Sequence, residues 1–273
     1  MSNLPKIGHS LVFLGPSGVG KSTLLRSALR LEGSGAVLMA PGADEQASYT
    51  EFLKEPGFYF GTFDDPEFLP IAGLRKVEGL KLAILTLNAI YQAQKKTLEE
   101  TGKLKYGVLG LDTISGLSNL AVNVMLHSMR LETAPAAQGK DGAEYYTGIK
   151  NAMEQVMRPV RAIRGLGTHV IILSHVSPVE KAPETATGEQ TISGSHWPLI
   201  PGAFKYALPQ FADVTMHGGI DPTVTTDGLR HYMQWMPDPK RPTKSRLGKL
   251  GSEAKLPNDW AIIKPLMESA QPH

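Results

Sequence analysis

The 273-residue chain has no cysteine, which excludes disulfides, thiolate–zinc sites and thiol catalysis and fits a reducing compartment. It also lacks a large charge of one sign. Lysine and arginine number 28 against 26 aspartate and glutamate, for a net charge of +2, so any surface for nucleic acid must be local rather than a global polycation. No apolar run approaches the ~18 residues of a membrane helix. Met1 to Ser10 lacks the apolar centre of a secretory signal. A cytoplasmic protein without a membrane partner is expected, in a cell or in an infected host. The eight histidines are scattered without an H-x-x-x-H pair, and internal repeats and low-complexity tracts are missing as well.

What is present is concentrated near the start. Gly15-Pro16-Ser17-Gly18-Val19-Gly20-Lys21-Ser22-Thr23 fits the phosphate-loop pattern G-x-x-x-x-G-K-[ST]. The context is right for it. Leu11 to Leu14 read as a short buried strand, and Thr23 to Leu31 as a helix with Leu24, Leu25, Ala28 and Leu29 inward. Glycines at 15, 18 and 20 let the backbone turn its N–H groups toward an anion at the positive end of that helix. Lys21 is expected to reach the β and γ phosphates, and the Ser22 hydroxyl to hold Mg²⁺.

Further along, Ala36 to Ala40 form a second short strand, and Asp44 and Glu45 follow its carboxyl end, where open α/β sheets collect ligands. Glu45, or Asp44, is a candidate to polarise the attacking water; the alternative is that they cap a helix from Ala43 to Lys54. Phe58 to Phe63 read as a third strand and Gly79 to Glu100 as an amphipathic helix. Tyr106 to Leu111 form an apolar strand ending in Asp112, a carboxylate placed to order Mg²⁺ through water, or else to cap the helix Ser115 to Met129. Arg130 to Tyr146 has no periodicity and ends in two tyrosines. A helix resumes through Ile149, Met153, Val156, Val160 and Ile163, with Pro159 as an expected kink. Its other face carries Lys150, Arg158, Arg161 and Arg164, a solvated face or a contact for DNA or another subunit. Thr168 to Leu173 form a buried strand ending in Ser174-His175, followed by a second irregular stretch, Val176 to Gly202, with His196 and Trp197. Phe211 to His217 and Leu229 to Met236 read as late strands. Lys240 to Lys249 then hold five cations in ten residues without an acid.

This order of parts resembles the RecA-like P-loop ATPase core, and more narrowly the compact phage-type RecA-related ATPases of single-strand annealing and recombination. The resemblance covers Leu11 to Lys249. It implies an α/β fold with a mostly parallel central sheet flanked by helices and late antiparallel strands, built as one domain over 1–273 with a core of about 8–250 and a C-terminal extension, 251–273. It also implies ATP and Mg²⁺ as cofactors, hydrolysis stimulated by single-stranded DNA, and a homo-oligomer, ring or filament, with nucleotide at the subunit interface. Ser174-His175 falls where the family senses the γ phosphate, and the two irregular stretches fall at its DNA-binding loops. Lys244 and Arg246 fall at its cations that reach a neighbour's nucleotide. In the family the catalytic glutamate follows the second strand almost directly, whereas Pro41-Gly42-Ala43 intervene here. Two other readings use the same phosphate loop. A P-loop DNA motor or helicase core shares the parts. A nucleotide kinase of the guanylate kinase type shares the GPSGVGKST spelling, but needs arginines to neutralise the transferred phosphate, and none occurs between Gly33 and Gly73.

Overall fold

Ser10–Leu14 (β1) is buried at every position and lies in the middle of the sheet. Successive side chains of a strand point to opposite faces, so Leu11 and Phe13 join one apolar cluster while Val12 and Leu14 join the other. The same alternation runs through β2 (Gly35–Met39) and β5 (His169–Ser174), and strands buried on both faces read as continuous apolar runs. The computed structural model describes residues 7–39, 47–62, 79–136, 139–176, 197–220, 231–234, 244–245 and 255–269.

Within these residues the strands are completed by β3 (Phe58–Thr62), β4 (Val108–Asp112), β6 (Val214–Ile220), β7 (His231–Gln234), β8 (Lys244–Ser245) and β9 (Lys255–Pro257). They form one sheet of order β3-β2-β4-β5-β1-β6-β7-β9, with β8 also paired to β6. The six strands from β3 to β6 run parallel, and β7, β8 and β9 add antiparallel. One strand, β5, therefore separates the phosphate-loop strand β1 from β4, whose last residue is Asp112. Helices cover both faces. On one side lie α1 (Lys21–Glu32) and α6 (Trp260–Glu268); on the other lie α2 (Gly79–Thr101), α3 (Ile114–Met129), α4 (Lys140–Gly165) and α5 (Phe204–Phe211). This is the α/β fold expected from the sequence, with late antiparallel strands.

Several local expectations are corrected. Ser48 to Lys54 form turns rather than a helix, closed by the bonds Phe52 N–H to Tyr49 O and Glu55 N–H to Phe52 O. The first irregular stretch ends sooner than expected, because α4 begins at Lys140. Tyr145 precedes Ile149 and Met153 at steps of four on the buried face of α4, so the apolar stripe reaches one turn further back. The helix continues through Pro159. Phe211 closes helix α5 instead of opening a strand: Phe204, Leu208 and Phe211 recur at i, i+4, i+7 and are buried, each contributing roughly 1.5–3 kcal/mol by leaving water. The basic face of α4 is solvent-exposed at Arg158 and Arg161, the solvated face expected, and Arg164 alone of the four is drawn into a pair of low exposure. Lys150 lies 3.7 Å from Glu154, the Arg161 guanidinium sits 5.6 Å from the Phe211 ring, and Arg164 makes a bidentate ion pair with Asp213. Beyond residue 250, β9 extends the sheet and α6 packs on α1, with Trp260 fully buried.

At the amino ends of the parallel strands His9 and His169 stack with ring centroids 5.4 Å apart. Glu32 faces His169 Nε2 at 3.9 Å and also accepts from Lys264 Nζ and Trp260 Nε1. Burial lowers the His9 pKa and holds that of His169 down to about 4, against the pull of Glu32. Both rings are thus neutral in the native state, while an unfolded histidine titrates near 6.5. Between those values the unfolded chain binds more protons, so stability is full above about pH 6.5 and is lost as pH falls toward 4, by on the order of 3 kcal/mol for His169. Urea midpoints measured from pH 7 to pH 4.5 are expected to fall in wild type and to fall less in His169→Phe; equal slopes in both proteins contradict this.

Candidate functional site

The phosphate loop leaves β1 and is pinned at once, since the Gly15 N–H donates to Ser174 O at the tip of β5. Val19 is the apolar anchor, buried against Gly15 and Gly218, where a side chain on either glycine would collide with its methyl. Gly18 and Gly20 take φ of 81° and 85°, the left-handed region that glycine enters without strain. Gly20 is the N-cap of α1, has no side-chain cap, and no acidic residue occupies the first turn. The positive end of the helix and its unpaired amides are left for an anion.

Lys21 is nearly buried, and its Nζ donates to Gly15 O (2.9 Å) and Pro16 O (2.7 Å) of its own loop. Burial lowers its pKa to about 8, with Asp112 pulling the other way. At neutral pH it remains mostly cationic. Ser22 Oγ donates to Asp112 Oδ2 at 3.2 Å, and Tyr49 OH donates to the same oxygen at 2.6 Å. Asp112 does not cap α3: Thr113 does, accepting from the Gly116 N–H. The carboxylate belongs to the site instead, where it lines a cavity of about 630 Å³ together with the loop, Ser48, Thr113 and His175.

Ser22 and Asp112 offer hard oxygen donors within one coordination shell of each other, and Mg²⁺ is commonly held by one or two protein oxygens with substrate phosphates and water filling the rest. The residues present therefore fit Mg²⁺, which when bound would neutralise phosphate charge.

His175 reaches the cavity from the tip of β5. Its N–H donates to Ser115 Oγ, which also meets Ser174 Oγ at 3.2 Å, so the Ser174-His175 pair is fixed to the start of α3. Lys244 is placed by its backbone alone, opposite Thr215 on β6. Asp44, Glu45, His196 and Arg246 lie outside the described residues.

Two contributors carry no signature in the sequence. Tyr49 sits in a stretch read as an ordinary helix. It is brought under Asp112 because the turn docks on α1, where Glu51 accepts from Arg26 Nε at 2.7 Å and from Arg30. Its own pKa is raised by burial and by the Asp112 charge, which keeps it a proton donor. Asn258 lies 239 positions from the Val19 carbonyl to which its Nδ2 donates at 2.7 Å, a separation no local pattern reports.

A family model for the AAA domain matches residues 7–247. The chain belongs to the AAA domain family. Comparison with curated proteins found no match. Membership of the AAA domain family carries nucleotide binding and hydrolysis in general terms, and this AAA domain has the loop, the strand-tip carboxylate and the cavity for them. Among the described residues, no helix of the AAA domain is long and apolar enough to cross a membrane.

Proposed function

We propose that this AAA domain is a RecA-like ATPase whose bound nucleotide gates single-stranded DNA binding by a homo-oligomer, in recombination, annealing or repair. The observation that carries the reading is at the tip of β5. His175, on the wall of the nucleotide cavity, accepts from the Leu199 N–H at 2.7 Å, and Val176 bridges Pro198. A change at the γ phosphate therefore has a direct backbone route to the point where the chain returns at Trp197. There an aromatic pair stands ready for bases. Trp197 and Tyr206 meet edge to face at 4.7 Å, Tyr206 is half exposed, and Lys205 Nζ lies 5.1 Å from its ring; stacking surfaces beside cations suit single strands. Tyr145 takes no part, since it is buried in the core. In this reading Glu45 or Asp44 orients the attacking water, and Lys244 and Arg246 act on the nucleotide of an adjacent subunit.

The test is phosphate release with and without single-stranded DNA, beside a sizing measurement. Turnover is expected to rise with DNA in an assembly larger than the monomer, and DNA affinity to fall as salt rises. Inactive Lys21→Ala and Arg246→Ala preparations are expected to regain partial activity when mixed. A monomer indifferent to DNA defeats the reading.

A further inference from the structure

The cavity over the phosphate loop has two ends. One is marked by Ser22 and Asp112, on the β4 side of β1; the other is walled by His231 at the start of β7, by Pro257 at the end of β9 and by Asn258 and Asp259 between β9 and α6, on the β6 side. This second wall is pressed against the loop. A Cβ placed on Gly20 would collide with Asn258 Nδ2 and would stand 3.7 Å from His231 Cβ. A triphosphate lying along the loop with its terminal phosphate at Lys21 and Ser22 must direct its other end toward this wall.

The chemistry of the wall differs from that of the phosphate end. The exposed imidazole of His231 is a flat aromatic face of the kind on which a heterocyclic base stacks, and the half-buried ring of Pro257 offers it apolar C–H contact. Asp259 is a carboxylate whose Oδ1 accepts from the Ala261 N–H as the N-cap of α6. Its remaining lone pairs suit a ribose hydroxyl, and its charge would repel phosphate from this end. The geometry points to the β7 start and the β9–α6 turn as the nucleoside subsite, with His231 and Pro257 taking the base and Asp259 the ribose diol. Neither element belongs to the phosphate loop or to the strand tips that hold its carboxylate. The inference rests on the nucleotide reading of the cavity.

Equilibrium binding of ATP and of inorganic tripolyphosphate, each with Mg²⁺, separates the two. Wild type is expected to bind ATP roughly ten- to hundredfold more tightly than tripolyphosphate, the range of one stacked base. His231→Ala should remove most of that advantage while leaving tripolyphosphate affinity unchanged. Asp259→Asn keeps an N-cap side chain and should bind ATP and 2′,3′-dideoxy-ATP alike, where wild type prefers ATP. Equal weakening of ATP and tripolyphosphate, or no change in either variant, overturns the subsite. If wild type binds tripolyphosphate as tightly as ATP, the phosphate site stands and the subsite fails; if it binds neither, both fail.

Discussion

Lys21→Ala is expected to lower ATP turnover by at least ~10²-fold, with circular dichroism and the urea midpoint close to wild type. The lysine is the cation nearest the loop carbonyls of Gly15 and Pro16, and a bound phosphate would draw it into the cavity. Its loss leaves Val19 seated and the glycine turns unchanged, so the loop keeps its shape and loses its charge. Asp112→Asn should cost a similar factor by a different route. The amide still offers one oxygen to Tyr49 and Ser22 but no longer a full negative charge, so the variant should require more Mg²⁺ to saturate. Full ATPase activity in a pure Lys21→Ala preparation excludes hydrolysis at this loop.

The second large effect is on stability and lies far from the cavity. Arg164 Nη2 donates to both oxygens of Asp213 at 2.9 and 2.8 Å, and its Nε donates to Gly8 O at 2.7 Å. Asp213 Oδ2 also accepts from the Ser10 N–H and hydroxyl. One guanidinium thus joins the end of α4 to the starts of β1 and β6. Its side chain is 19% exposed and that of Asp213 is 10% exposed, so solvent screens the pair weakly. Arg164→Met leaves a buried carboxylate without its cation, a change that costs roughly 3–5 kcal/mol. In urea the midpoint should fall with the slope unchanged. Adding Asp213→Asn to Arg164→Met should recover part of the loss, because a neutral amide then replaces the buried carboxylate that had lost its guanidinium. An unfolding free energy within ~0.5 kcal/mol of wild type would show the pair to be no more than a surface contact.

Arg164 also shows where sequence reasoning stops. On a helical wheel it shares a polar face with Lys150, Arg158 and Arg161, and such a face reads as solvated. Its acid is Asp213, 49 positions away, so nothing within a turn or two of the helix reports the pair. The strands β1, β2, β4 and β5 were legible because burial on both faces requires unbroken apolar runs. The loop was legible because its glycines and lysine answer to local backbone geometry. Asp112 was legible as a strand-tip acid, yet its tie to Tyr49 was not, since that hydrogen bond depends on how the 47–55 turn docks on α1. Where patterns were short, as at Phe204 to Phe211, a helix with Pro209 inside it left no signal, and its last residue reads as the start of a strand.

The clasp of Asn258 on Val19 has a consequence for how the protein is made. A loop spelled out in the first two dozen residues is held by a side chain from the far end of the described fold, and the intervening strands must all be in place before the two meet. Contacts of such long separation form late. During synthesis the loop and α1 emerge first, but the wall over Gly20 cannot exist until the residues through Glu268 have left the ribosome and α6 has settled on α1. Nascent chains short of that point should release nucleotide quickly, so tight retention of nucleotide would report that α6 had arrived.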